Sequence, residues 1–285
     1  MIPAMRALLF CLLLSALPTS LHAEIVQLEM RPGIPASAEH LIGERDKPAV
    51  LLLHGFLQTR DFPTVATLAR GLNDAGYPVL APTLSLNIPN RTQSLACEAV
   101  HRHSLDDDIA EIARWVDWLK SHGHRSIVLL GHSFGSLQLL AYLSAGPDAA
   151  VKGYIGVSLI EAEVGTTPRA ALIARLENQG PLEQRTLVTQ HLAYCRKYLS
   201  TPEALLSYVR WDQPHTLSVL KQSPVHMRLI MGDADDMLGH GWLKALKHIQ
   251  TPMAIVKNAS HFMDGAHEFD LLDHTLKSMD LLNRP

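Results

Sequence analysis

Apolar residues along the chain fall into short continuous runs, separated by stretches in which they recur every three or four positions. "AVLLLHGF" (49–56) is one such run ending at glycine, the pattern of a strand buried on both faces. In "FPTVATLARGLNDAG" (62–76), Val65, Leu68, Leu72 and Ala75 share one helical face, and Gly76 stands where a helix should end. "YPVLAP" (77–82) predicts a second strand. "SLDDDIAEIARWVDWLKSHG" (104–123) predicts a helix, with Ser104 and Asp107 as a capping box and Ile109, Ile112, Val116 and Leu119 as its buried stripe. "SIVLL" (126–130) predicts a third strand, 134–146 a helix, and "VKGYIGVSLI" (151–160) a fourth strand.

Residues 161–223 break the rhythm. Helix-like pieces such as "PRAALIARLEN" and "PEALLSYVRW" occur there without an apolar strand, so the segment predicts an inserted helical cap. The alternation resumes with "VHMRLIMG" as strand, "WLKALKHI" as helix, "PMAIVKN" as strand and "EFDLLDHTLKSMDLL" as helix. Strands alternating with helices imply βαβ units with right-handed crossovers, hence an α/β fold with a mostly parallel central sheet flanked by helices.

The start of the chain, "MIPAMRALLFCLLLSALPTSLHA", has one positive charge at Arg6, an apolar run from Ala7 to Leu17 and a small residue at Ala23. It predicts a signal peptide over 1–23, cleaved near Ala23, since the run is shorter than a bilayer span of about 20 residues. The expected location is therefore extracytoplasmic, periplasmic or secreted, with no stable membrane anchor after cleavage. The remaining 24–285 predicts one domain. With 25 basic and 28 acidic residues the formal charge is −3, and no basic patch points to nucleic acid. Cys97 and Cys195 remain after cleavage; in an oxidising compartment they are either a disulfide or two separate thiols, and spacing does not decide.

Parallel sheets place chemistry at the C-terminal ends of their strands. There "GHSFG" (131–135) joins an apolar strand to an apolar helix. A serine lifted above a sheet needs a tight turn in which side chains two residues to either side would collide, which is a reason for Gly131 and Gly135. A serine hydroxyl needs a neighbouring base, and the base an acid to hold its tautomer. "MGDADDML" and "NASHFM" follow the two later strands and supply Asp235 and His261 on the same edge of the sheet. Asp233 and Asp236 occupy the same turn as Asp235, and Glu161 and Glu163 follow an earlier strand; each is an alternative acid. His54 and His132 are read as shaping the site. The paired histidines of "HRH" (101–103) and "HGH" (122–124) lack the accompanying ligand set of a metal site and are read as solvated loop residues.

Over 45–285 the chain resembles the α/β-hydrolase superfamily. The matching residues are His54-Gly55-Phe56, Gly131-His132-Ser133-Phe134-Gly135, Gly232-Asp233-Ala234-Asp235 and Ser260-His261-Phe262. The resemblance implies an esterase- or lipase-like serine hydrolase with Ser133 as nucleophile, His261 as general base and later acid, and Asp235 as its orienting partner. It further implies an oxyanion hole made by the backbone N–H groups of Phe56 and Phe134. No cofactor and no metal are implied. The expected reaction is cleavage of a carboxylic ester, thioester or amide through an acyl-enzyme, on a small-molecule or lipid-like acyl substrate. A binding protein that keeps the fold and an acyltransferase using the same three residues are the alternatives, because a fold does not fix a reaction. "HGF" lacks the added glycines of HGGG-type esterases, and a long polar loop, "TLSLNIPNRTQSLACEAVHRH" (83–103), stands where many relatives have a Gly-rich turn. The cap mixes leucines with Arg169, Arg175, Arg185, Arg196 and Arg210, a composition that fits lipid and polar substrates alike.

Overall fold

The computed structural model describes residues 23–179 and 186–282. The segment read as a signal peptide lies outside them apart from Ala23, as does Arg185. The first described element is an antiparallel hairpin, β1 (Ala23–Arg31) with β2 (Ile34–Leu41), absent from the sequence reading. Val26 and Met30 are buried while Ile25 is exposed. A ribbon covered on one face alternates polar and apolar and produces no continuous run.

From there the expected alternation holds: β3 (Ala49–Leu53), α1 (Pro63–Asp74), β4 (Val79–Thr83), α2 (Leu105–Ser121), β5 (Ile127–His132), α3 (Phe134–Ser144) and β6 (Val151–Val157). At the end of α1, Gly76 takes φ +89°; its N–H donates to the Asn73 carbonyl and that of Tyr77 to Leu72, closing the helix as a left-handed cap does. α2 opens on the predicted box: the Ser104 hydroxyl accepts from the Asp107 N–H, and the Asp107 carboxylate from the Ser104 N–H.

The inserted segment follows β6. It contains α4 (Arg169–Glu177), the strands β7 (Val188–Leu192) and β8 (Cys195–Ser200), α5 (Pro202–Val209) and α6 (Gln213–Gln222). The helices match the expected pieces; the antiparallel β7–β8 hairpin is an addition. The chain then forms β9 (His226–Gly232), α7 (Trp242–His248), β10 (Met253–Val256) and α8 (Glu268–Leu282). The described sheet has the order β1-β2-β4-β3-β5-β6-β9-β10, with the six strands from β4 to β10 parallel. Alternate residues of the central strands face opposite layers. Val50 and Leu52 pack with Val65, Leu68 and Leu72 of α1 and with Leu271 and Met279 of α8. Leu51 and Leu53 pack in the other layer with α2, α3 and the insertion.

A disulfide joins Cys97 to Cys195, so the long loop after β4 is stapled to the hairpin of the insertion. Replacing both cysteines with serine is expected to lower unfolding stability by about 2–5 kcal/mol, read from the urea midpoint. An unchanged midpoint would mean the loop and hairpin hold together without the bond.

His101 and His103 are buried, which corrects their reading as solvated residues. His101 forms an isolated bridge to Ser200 and stacks on the Tyr198 ring at 4.3 Å, and His103 lies edge-on to Tyr208. The loop that carries them is laid along β8 by the disulfide and out of solvent.

The three aspartates at the start of α2 diverge: Asp106 is exposed, Asp107 caps the helix, and Asp108 turns into the core. Asp108 Oδ2 accepts from the Tyr208 hydroxyl of α5 at 2.5 Å and from Gln138 Nε2 of α3 at 2.7 Å. One carboxyl thus ties α2, α3 and the insertion together. Burial pushes its pKa from 3.8 up to about 8. The unfolded chain releases this proton near 3.8 and the folded chain keeps it to about 8, so the group's contribution to stability declines as pH rises through that window. Burial also raises Glu111, with the same sign. His54, His103 and His132, held below 6.5 by burial, act in the opposite sense and only below about 6.5. Between 6.5 and 8 the Asp108 proton is expected to remove up to about 1.4 kcal/mol of stability per pH unit. Asp108→Asn is expected to flatten that slope in urea unfolding across the interval; an equally steep slope would place the proton elsewhere.

Candidate active site

The turn between β5 and α3 sets Ser133 at φ +57°, ψ −125°, a conformation L residues rarely adopt. Strain of this kind is of order 1–3 kcal/mol and persists only where the surroundings enforce it. They do so here by close approach. A Cβ on Gly135 would lie 2.2 Å from the His54 carbonyl oxygen, and one on Gly131 would lie 2.5 Å from the Ser136 nitrogen. The Ser133 N–H is anchored to the Val157 carbonyl of β6 at 2.8 Å, and the Ser136 hydroxyl donates to Gly131 at 2.7 Å. Both glycines are therefore demanded by space, in agreement with the sequence reading.

Ser133, His261 and Asp235 come together from the C-terminal ends of β5, β10 and β9. The Ser133 hydroxyl donates to His261 Nε2 at 2.7 Å, and His261 Nδ1 donates to Asp235 Oδ2 at 2.8 Å. The His261 and Asp235 side chains are shielded from solvent, and Ser133 is 5% exposed. The other Asp235 oxygen accepts from the Met237 N–H at 3.0 Å, which fixes the carboxylate in its turn. Asp233 and Asp236 are not in this chain of bonds. Asp233 is exposed and accepts from the Asn258 N–H at 2.5 Å, bracing the loop that leads to His261. Asp236 is exposed, and Glu161 is engaged by Gln213 at 2.7 Å and by Arg169 at 3.4 Å.

Two residues hold the backbone of His261 in place. Its carbonyl accepts from the Ser158 hydroxyl at 2.7 Å and from His132 Nε2 at 3.1 Å. Ser158 was missed by the sequence reading, although a polar residue at the end of the apolar β6 run is the same signal that singled out Ser133. His132 is neutral, lowered to about 3 by burial. His54 is lowered to about 3 for the same reason. The Leu84 N–H donates to His54 Nε2 at 3.1 Å, so the Nδ1–H tautomer donates to the Gly55 carbonyl at 2.8 Å. Both histidines are buried and bonded to backbone, His132 to the His261 carbonyl and His54 to Gly55 and Leu84.

Phe134 begins α3, where backbone N–H groups point out of the helix. Phe56 follows β3 beside it, with the two rings 4.6 Å apart. Among the described residues neither N–H has a hydrogen-bond partner. A cavity of about 200 Å³ opens between the insertion and the turn after β9, lined by Glu161, Glu163, His191, Tyr194, Asp236 and Met237 among others, with none of Ser133, His261, Phe56 or Phe134 in its wall. A larger cavity of about 600 Å³ lies at the N-terminal ends of β9 and β10, around His226 and Pro252, away from Ser133. Among the described residues no three of His, Cys, Asp and Glu are grouped as metal ligands would be, and no helix is long and apolar enough to cross a membrane.

With this geometry in view, a model of the alpha/beta hydrolase family matches residues 50–270. The chain belongs to that family. The structure superposes on the alpha/beta hydrolase GrgF from Penicillium sp. sh18 with a TM-score of 0.69 at 15% identity, over 92% of this chain and 99% of that one. Est1E from Butyrivibrio proteoclasticus gives 0.62 at 15% identity, over 90% and 99%. A thioesterase domain from the curacin biosynthetic pathway gives 0.60 at 19% identity, over 91% and 99%. At these identities the likeness is one of fold. No relative is found among curated proteins.

Proposed function

We propose that this alpha/beta hydrolase cleaves a carboxylic ester or thioester through an acyl-enzyme on Ser133. The observation that carries the reading is the unbroken line of hydrogen bonds from Ser133 Oγ through both nitrogens of His261 to Asp235. Ser133 Oγ attacks the acyl carbon while its proton passes to His261 Nε2, and Asp235 stabilises the imidazolium so formed. The carbonyl oxygen, now negative, is received by the N–H groups of Phe56 and Phe134, the latter aided by the N-terminal end of α3. His261 then returns the proton to the departing alkoxide or thiolate. Water, deprotonated by the same nitrogen, attacks the acyl carbon, the carboxylic acid leaves, and Ser133 regains its proton.

The shielding of Ser133, His261 and Asp235 from solvent favours a small acyl substrate over a bulky one. An extracytoplasmic location is supported by the apolar N-terminal run and by the Cys97–Cys195 bond, which an oxidising compartment preserves. The test is a series of p-nitrophenyl esters and matched thioesters of increasing acyl length. Turnover is expected to be fastest on acetyl and butyryl compounds and to fall toward decanoyl. Rates that climb to decanoyl would overturn the small-substrate reading, and no turnover of any ester or thioester would overturn hydrolysis.

A further inference from the structure

The backbone that carries Phe56 is a tight turn in an unfavourable form. Gln58 N–H donates to the Gly55 carbonyl at 3.1 Å, closing a four-residue turn with Phe56 and Leu57 at its centre. Leu57 takes φ +58° while Phe56 does not have positive φ, which is the signature of a type II turn. Glycine or asparagine normally fills the Leu57 position of such a turn. Flipping the 56–57 peptide would give a type I turn and return Leu57 to an ordinary conformation, so something outside the turn must hold that peptide.

A bond from one segment holds that peptide directly, and a bond from a second segment holds the peptide after it. The Tyr194 hydroxyl, from the tip of the β7–β8 hairpin, donates to the Phe56 carbonyl at 2.9 Å, and its ring packs edge-on against the Phe56 ring. The Leu95 N–H, from the long loop after β4, donates to the Leu57 carbonyl at 2.9 Å. Tyr194 directly precedes Cys195, and Leu95 lies two residues before Cys97. The disulfide therefore joins the two segments that grip the turn, next to each grip. With its carbonyl bonded to Tyr194 and its ring packed against the Tyr194 ring, Phe56 is held at two points around its Cα, and the N–H borne on that residue is held in place with it.

We infer that Tyr194 is a positioning residue: clasped over the Gly55–Gln58 turn by the Cys97–Cys195 bond, its hydroxyl keeps the Phe56 N–H aimed at the reacting carbonyl oxygen. The inference rests on the reading of Ser133 as nucleophile and of Phe56 as an oxyanion donor. It predicts a defect confined to the transition state, because the Tyr194 hydroxyl touches the turn and no reacting atom.

The test is Tyr194→Phe, which keeps the ring and removes the hydroxyl. On a short-acyl p-nitrophenyl ester, kcat is expected to fall about three- to tenfold, the usual worth of one hydrogen bond, with KM within about twofold of the parent. Phosphonylation of Ser133 by a fluorophosphonate is expected to slow in parallel. Because Tyr194 is 43% exposed, the thermal midpoint should hardly move. The Cys97→Ser/Cys195→Ser protein, assayed well below its own midpoint, is expected to show the same kcat loss, and adding Tyr194→Phe to it should cause little further loss. An unchanged kcat in Tyr194→Phe, or a raised KM with kcat intact, would overturn the positioning role while the active parent still supports the hydrolase reading. Independent, fully multiplicative losses would overturn the part given to the disulfide. A parent that neither labels nor turns over would remove the hydrolase reading itself, and this inference with it.

Discussion

Ser133→Ala is expected to reduce ester hydrolysis by about 10⁴-fold or more while the protein stays folded. The hydroxyl is the only atom lost, and its partner, His261 Nε2, then has no proton to accept from a nucleophile. The glycines at 131 and 135 and the anchor from Ser133 N–H to the Val157 carbonyl remain, so the turn keeps its shape. Thermal melting within a few degrees of the parent, beside the lost activity, is the expected pair of results. Residual activity within about tenfold of the parent would remove Ser133 from its role.

Asp235→Asn carries the second largest expected effect, a loss in kcat of about 10⁴-fold. The amide is nearly isosteric, and its oxygen can still accept from the Met237 N–H. Its NH₂ group would then face His261 Nδ1 and demand an acceptor there. The imidazole would answer by moving its proton to Nε2, the nitrogen that must stay free to receive the Ser133 proton. Asp233→Asn keeps an oxygen for the Asn258 N–H, and Asp236→Asn alters an exposed side chain, so each is expected to change kcat by less than about fivefold. The ranking is read from kcat of the three variants on one ester. A larger loss at Asp233 or Asp236 would move the acid to that residue.

The parts of this molecule visible in its sequence are those where one strand meets one loop. β3 and β5 are continuous apolar runs because both their faces are covered, β9 and the edge strand β10 are shorter and less covered ones, and each run points at a residue that follows it: Phe56, Ser133, Asp235 or His261. Among Asp233, Asp235 and Asp236 the alternation of elements does not choose, because all three lie in one turn; the choice of Asp235 rests on the family resemblance of Gly232-Asp233-Ala234-Asp235. Only the hand of that turn decides which carboxylate faces His261.

What stayed hidden depends on contacts between distant segments. The β1–β2 and β7–β8 hairpins have one covered face each and give no continuous run. Asp108 reads as a helix N-terminal charge like its neighbours Asp106 and Asp107. Its burial follows from Tyr208, a hundred residues further on. Tyr194 reads as one aromatic among polar residues, and its place over Phe56 follows from a disulfide whose closure spacing alone could not decide.

Whether Ser133 is an activated nucleophile is tested by intact-mass analysis of the purified protein after exposure to a fluorophosphonate, with the adduct mapped by peptide sequencing. One adduct per chain is expected, on the peptide that contains Ser133, and none in Ser133→Ala. A folded protein that takes up no label, or one labelled on another serine such as Ser158, would contradict that role for Ser133.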